Sequence, residues 1–238
     1  MGGRLWQSAR PTPMSSGPGR VELERSCVLI IFDCDGVLID SEVLAADVHA
    51  ELLSGLGLSI TRQEVIQRFT GLTDEQMVDR VQQQLGRTLP EDYLERALVE
   101  LDRRLTKVKA IEGVHALLDR LTLPRCVCSN SSTQRLRISL TAAGLWERFQ
   151  PHIFSAPEVG RSKPASDVFL HAARVLGARP QDTVVIEDSV HGVTGAVAAG
   201  MRVVGFTGGG HSWPGHADVL RKAGAHEVIS RFADLHLG

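Results

Sequence analysis

Four clusters in this chain combine carboxylates, a hydroxyl, an amide and a lysine: Asp33-Cys34-Asp35-Gly36, Ser129-Asn130, Lys163 and Glu187-Asp188. Asp33 and Asp35 stand two apart, so both can point into one cleft if Asp33 continues a strand, and Gly36 lets the chain turn sharply behind them. Four carboxylates gathered in one place repel: two unit charges about 4 Å apart cost ~1 kcal/mol in water and ~4 kcal/mol at an effective dielectric near 20. The cluster therefore demands a cation. A hard, oxygen-seeking divalent ion such as Mg²⁺, together with Lys163, balances it and also binds phosphate. One carboxylate beside such an ion can attack phosphorus and form an aspartyl-phosphate. The other can protonate the leaving alcohol and later deprotonate the attacking water. Ser129 and the amide of Asn130 fall at a strand-to-helix junction, where a hydroxyl and free N–H groups hold an anion.

Taken singly, each cluster has a plainer reading. Asp-x-Asp-Gly suits a turn, Ser129-Asn130 a helix cap, and Lys163-Pro164 a solvated helix start. A calcium loop with its glycine at Gly36 would put the first ligand position at Ile31, inside a strand, which argues against an EF-hand. It is their order along the chain, each cluster at the end of a strand, that favours a phosphate-handling site.

The elements that position these residues are legible from hydrophobic pattern. The run CVLIIF, Cys27 to Phe32, is continuously apolar and β-branched, as in a strand buried on both faces of a parallel sheet, and charge begins abruptly at Asp33. RCVCS, HIFS, TVVIED, RVVGF and HEVIS are further short strands, with helices expected over 131–143, 165–177, 190–199 and 216–223. Strands and helices in alternation predict an α/β fold with a doubly wound parallel-sheet, Rossmann-like core. In such sheets ligands bind at the carboxyl ends of the strands. Residues 42–108 show helical spacing without a good strand, which predicts an all-helical cap inserted into a core formed by 27–41 and 109–238. Residues 1–26, rich in Gly, Pro, Ser and Arg, read as a disordered leader.

A length of 238 residues suits one full core plus a smaller module, and 43% hydrophobic with 23% charged residues excludes a disordered or fibrous chain. The 26 basic and 28 acidic side chains leave a net charge of −2, with no basic run to neutralise a nucleic-acid backbone. No apolar stretch reaches the ~20 residues of a membrane span. The expected location is the cytoplasm, the expected partner a small phosphorylated metabolite with neither nucleic acid nor membrane, and the expected state a monomer or weak homodimer. Cys27, Cys34, Cys126 and Cys128 are expected as reduced thiols, and Cys126-Val127-Cys128 lacks the spacing of a zinc knuckle.

FDCDGVLIDSE (Phe32 to Glu42), CSNSS (Cys128 to Ser132), SKPASDVF (Ser162 to Phe169) and VVIEDSVHGVTGAVAAGM (Val184 to Met201) resemble the four motifs of the haloacid dehalogenase superfamily. They are most similar to its phosphatase and phosphoglucomutase-like branch, across about residues 27 to 236. The resemblance implies Asp33 as nucleophile, Asp35 as general acid/base, and Ser129 and Lys163 as the phosphoryl clamp. It implies Mg²⁺ held by Asp33, the carbonyl of Asp35 and Asp188, with Glu187 as ligand or just behind the ligands. Ser166 departs from the proline common there. Arg68 to Thr73 resemble a cap loop that dips into the site, with Arg68, Thr70 and Gly71 as candidate substrate contacts; on its plainer reading Arg68 is a solvated helix residue. FTGGGHSWPGH (Phe206 to His216) lacks the Lys-Ser/Thr of a P-loop and reads as a surface loop.

Within this branch, Asp35 disfavours dehalogenation, and the lack of lysine from Glu42 through Thr106 disfavours phosphonate hydrolysis. The chief alternative is a phosphosugar mutase. The histidine such mutases resemble one another in carrying would stand at Ala45, leaving only His49, one helical turn on, to replace it. A non-enzymatic phosphometabolite-binding protein is the other alternative.

Overall fold

The computed structural model describes residues 21–23, 27–69, 72 and 74–237. Six strands form the central sheet: β2 (Leu29–Phe32), β3 (Arg125–Ser129), β4 (Ile153–Ser155), β5 (Thr183–Glu187), β6 (Arg202–Phe206) and β7 (Glu227–Ile229). All pair in parallel, in the order β4-β3-β2-β5-β6-β7. This is the doubly wound arrangement: the chain builds outward from β2 on one side, then returns to the other side at β5. The crevice where the winding reverses lies between the carboxyl ends of β2 and β5.

Alternation along β2 divides the core. Ile30 and Phe32 face one side with Val127, Ile186 and Phe206, beneath α5 (Val114–Arg120), α6 (Thr133–Ala142) and α7 (Trp146–Phe149). Leu29 and Ile31 face the other with Cys126, Cys128, Val185 and Val203, against α9 (Asp167–Val175), α10 (Val190–Ala198) and α11 (His216–Ala223), while the short α8 (Ala156–Val159) follows β4. Every residue of β2 has no exposed surface, which is why the strand reads as an unbroken apolar run. All four cysteines are buried and free.

Between β2 and α5 the described chain makes four helices: α1 (Ser41–Gly55), α2 (Arg62–Phe69), α3 (Asp74–Leu85) and α4 (Tyr93–Leu105). They enclose their own apolar cluster, with Leu53, Val65, Phe69, Val81 and Tyr93 among its members. The two connections to the sheet run side by side. Ile39 bridges Ala110, the Asp40 amide donates to the Lys109 carbonyl at 3.3 Å, and the Ile111 amide donates to the Leu38 carbonyl at 3.0 Å.

One expectation needs correcting. Val21–Leu23, within the segment read as a leader, form β1, which pairs in parallel with β8 (Leu235–Leu237). A three-residue strand stabilised by a partner at the opposite end of the sequence leaves no local pattern to read. Among the described residues no helix is long and apolar enough to cross a membrane.

Candidate active site

The chain leaves β2 at Asp33, whose amide still donates to the Ile186 carbonyl at 3.0 Å, so the sheet ladder fixes the direction of this carboxylate. The chain then folds tightly back, with the Leu38 and Ile39 amides donating to the Cys34 carbonyl. Gly36 has φ +77°, and a Cβ there would lie 1.8 Å from Asp188 Oδ2. Only glycine allows both the turn and the approach of Asp188.

Glu187 ends β5 and Asp188 follows it. Ser189 caps α10, its hydroxyl accepting from the Gly192 amide at 3.0 Å while donating to Glu187 Oε2 at 3.0 Å. A Cβ on Gly192 would fall 1.6 Å from Glu187 Oε1, so the helix start is seated directly on this carboxylate. Opposite stands Lys163, whose ammonium donates to Asp33 Oδ1 at 2.5 Å, Glu187 Oε1 at 2.8 Å and the Cys128 carbonyl at 2.8 Å. All three of its protons are used. Burial opposes its charge, but the Asp33 and Glu187 carboxylates outweigh that and raise its pKa.

Asp33, Glu187 and Asp188 are buried, and each offers an oxygen lying within 4.8 Å of the others'. Burial, only partly offset by Lys163 and reinforced by Glu187 and Asp188, pushes the Asp33 carboxyl well above the usual carboxylate range. Burial and the Glu187 charge do the same to Asp188. A buried all-oxygen donor set with an excess of negative charge fits a hard divalent cation such as Mg²⁺.

Asp35 sits at the cleft with both oxygens held by hydroxyls: Ser41 donates to Oδ1 at 2.6 Å, Ser131 to Oδ2 at 2.8 Å and Ser129 to Oδ2 at 3.3 Å. The Asn130 side chain takes a role not foreseen from sequence. Its Oδ1 accepts from the Lys163 amide at 2.8 Å and its Nδ2 donates to the Lys163 carbonyl at 3.3 Å, clamping the loop that carries the lysine. Asp33, Asp35, Ser129, Asn130, Lys163, Glu187 and Asp188 all line one cleft of about 800 Å³ between the sheet and the helical insertion.

The substrate contacts expected from the insertion fare differently. Arg68 faces away from this cleft, donating to Gln84 at 2.6 Å on an exposed surface. Val65, Ile66 and Phe69 turn one face of α2 into the apolar cluster, which puts Arg68 on the solvated side. Thr70 and Gly71 lie outside the described residues.

The Gly-rich stretch after β6 is a loop exposed at Gly208, Gly210, Pro214 and Gly215, but it turns both of its histidines inward. His211 and His216 are each 3% exposed; His211 Nε2 lies 2.9 Å from Asp188 Oδ2, and His216 Nε2 lies 2.8 Å from the Asp188 carbonyl. Trp213 stacks on His216 with ring centroids 4.1 Å apart. A carboxylate facing Nε2 assigns the proton to that nitrogen, and His211 Nδ1, buried with no hydrogen-bond partner, fits the deprotonated side of a neutral ring. The histidines thus hold the Asp188 carboxylate and backbone from behind. Ser41, Ser131, Ser189 and the two histidines are the functional residues that the motif reading missed.

A doubly wound sheet carrying this acid–lysine cluster at its reversal point defines an enzyme of the phosphoryl-handling class. The family model described as haloacid dehalogenase-like hydrolase matches residues 30–206, and the chain belongs to that family. It is 31% identical over 187 residues to the 6-phosphogluconate phosphatase of Escherichia coli K12, covering 78% of this chain and 85% of that protein. To hexitol phosphatase B of the same organism it is 31% identical over 188 residues, covering 76% and 83%. Among solved structures, a haloacid dehalogenase-like protein of unknown function from Agrobacterium tumefaciens C58 superposes with a TM-score of 0.84 at 50% identity, covering 87% of this chain and 95% of that one.

Proposed function

We propose that this protein is a Mg²⁺-dependent phosphatase that hydrolyses a small sugar, polyol or sugar-acid phosphate through an aspartyl-phosphate on Asp33. The observation that carries this reading is the division of labour between the two front aspartates. Asp33 is buried on the acid cluster and paired with Lys163, whereas Asp35 faces the cleft on a bed of serine hydroxyls. The names of the two curated relatives support the substrate class.

Asp33, Asp188 and the Asp35 carbonyl would hold the ion, with Glu187 joining them or bracing them from behind. When bound, the ion neutralises the phosphate oxygens and the acid cluster. Lys163 holds Asp33 in line and adds positive charge beside it. An oxygen of Asp33 attacks phosphorus, and the bond to the ester oxygen breaks as that oxygen takes a proton from Asp35. The alcohol leaves. Asp35, now ionised, removes a proton from a water, which attacks the phosphorus; inorganic phosphate departs and the Asp33 carboxylate is restored. Hydrolysis is favoured over return of phosphate to a sugar because Ala45 lines the cleft with no proton to relay, and His49 Nδ1 is engaged with the Tyr93 hydroxyl at 2.9 Å.

The test follows a panel of sugar, polyol and sugar-acid phosphates by phosphorus NMR, with Mg²⁺ and with chelator. Release of inorganic phosphate that needs the metal is expected. Conversion of a hexose 1-phosphate to its 6-phosphate faster than phosphate release, or full turnover in chelator, would overturn the reading.

A further inference from the structure

Among the described residues, two side chains of permanent positive charge line the cleft, Lys163 and Arg135. Lys163 is spent on Asp33, Glu187 and the Cys128 carbonyl, so any second negative group on the substrate must look to Arg135. Arg135 stands in the first turn of α6, on the sheet side. Its Nε donates to Asp102 Oδ1 at 2.8 Å, and its Nη2 lies 2.8 Å from the same oxygen. Asp102 belongs to α4, so the pair crosses from the sheet to the helical insertion.

Three features mark this guanidinium as a reader of carboxylates. It already binds one, through two nitrogens of its planar fork. It also lines the smaller cavity of about 280 Å³ that opens off the cleft towards Phe69 and Met77, which sets it beyond the phosphate end, where the rest of the substrate must lie. Finally, the Asp102 side chain is 47% exposed, and an ion pair so open to water is weak enough to be exchanged.

We propose that Arg135 is the specificity-determining residue of this enzyme and that it reads a carboxylate on the leaving group, with Asp102 holding the guanidinium in place until the substrate displaces it. The substrate is accordingly a sugar-acid phosphate and not a neutral sugar or polyol phosphate. This inference rests on the phosphatase reading above.

The test compares two substrates that differ in one group. 6-Phosphogluconate and sorbitol 6-phosphate carry the same phosphate on the same open chain, with a carboxylate in one where the other has a hydroxymethyl. The native protein should show the lower KM for 6-phosphogluconate. Arg135→Met should raise that KM about 10- to 100-fold, the range for losing a hydrogen bond to a charged group. Its kcat should hold within a few-fold, and sorbitol 6-phosphate should be unaffected. Arg135→Lys should recover part of the loss, and Asp102→Asn, which removes the competing carboxylate, should lower the KM for 6-phosphogluconate. Equal KM values in the native protein overturn the proposal, as does an Arg135→Met variant impaired equally on both substrates. The second result would mean that the pair only seats the helical insertion. A generic aryl phosphate separates the two readings: its hydrolysis without discrimination between the sugars refutes the role of Arg135 alone, whereas no hydrolysis of any substrate refutes the phosphatase reading with it.

Discussion

The two front aspartates differ in surroundings more than in chemistry, and the difference is measurable. Asp33→Asn leaves an amide that cannot carry an acyl-phosphate, so turnover and covalent labelling by substrate should both vanish. Asp35→Asn keeps the nucleophile and loses proton transfer, a reduction of about 10²–10⁴-fold with the phosphoenzyme still trapped on Asp33 by mass spectrometry. Phosphate found on another residue would contradict both assignments. His211 acts one step removed. It contacts the Asp188 carboxylate at Oδ2 and so restrains its orientation, and His211→Ala should weaken Mg²⁺ binding about 10- to 100-fold by calorimetry while saturating Mg²⁺ restores most of kcat. Sequence pointed to the carboxylates and Lys163 because few residue types can do their work. It did not point to His211: glycines flanking a histidine spell a loop, and only a long-range contact between that loop and the end of β5 buries it. Arg68 failed for the converse reason. Either face of α2 is reachable from its spacing, and docking of Val65 and Phe69 decides which face sees water.

At the scale of elements, the site is made of helix starts resting on strand ends. Ser189 joins the two by capping α10 and bonding Glu187 with one hydroxyl. Ser189→Ala should therefore cost about 1 kcal/mol in urea unfolding for the lost cap. It should also reduce kcat, because Glu187 loses a restraint; a stability loss with unchanged kcat would show that the cap alone matters. The strands were readable because burial on both faces removes alternation and leaves apolar runs ending in charge, as at Phe32-Asp33 and Ile186-Glu187. The boundaries expected for RVVGF and for the helix over 216–223 coincide with β6 and α11. Four short elements were not read from the sequence: the four-residue helices α7 and α8, too short to show a helical period, and the three-residue strands β1 and β8, which pair with each other across nearly the whole chain.

For the molecule as a whole, the buried acids tie stability to pH and to metal. In the metal-free protein the raised pKa values mean that Asp33 and Asp188 keep protons in the folded state that the unfolded chain has already lost. Their contribution to stability is thus complete below the ordinary carboxylate range, near pH 4, and is lost as pH rises through the folded values. With chelator present, Tm should fall as pH rises above about 4, the ordinary carboxylate range, and Asp188→Asn should flatten that fall. Mg²⁺ should reverse it, adding about 2.7 kcal/mol when free metal exceeds Kd a hundredfold. A Tm insensitive to Mg²⁺ at the higher pH would count against a metal at this cluster. The helical insertion has a different bearing on the whole. Its two ends leave and rejoin the core side by side, already tied by the Ile39–Ala110 bridge and the neighbouring backbone hydrogen bonds. A segment whose ends are held adjacent adds little closure entropy as it grows, about 0.6 kcal/mol for each doubling of length. The helices facing the leaving group are therefore free to lengthen, shrink or be exchanged between relatives without disturbing the strand that carries Asp33, so this architecture can acquire new substrates while keeping one reaction.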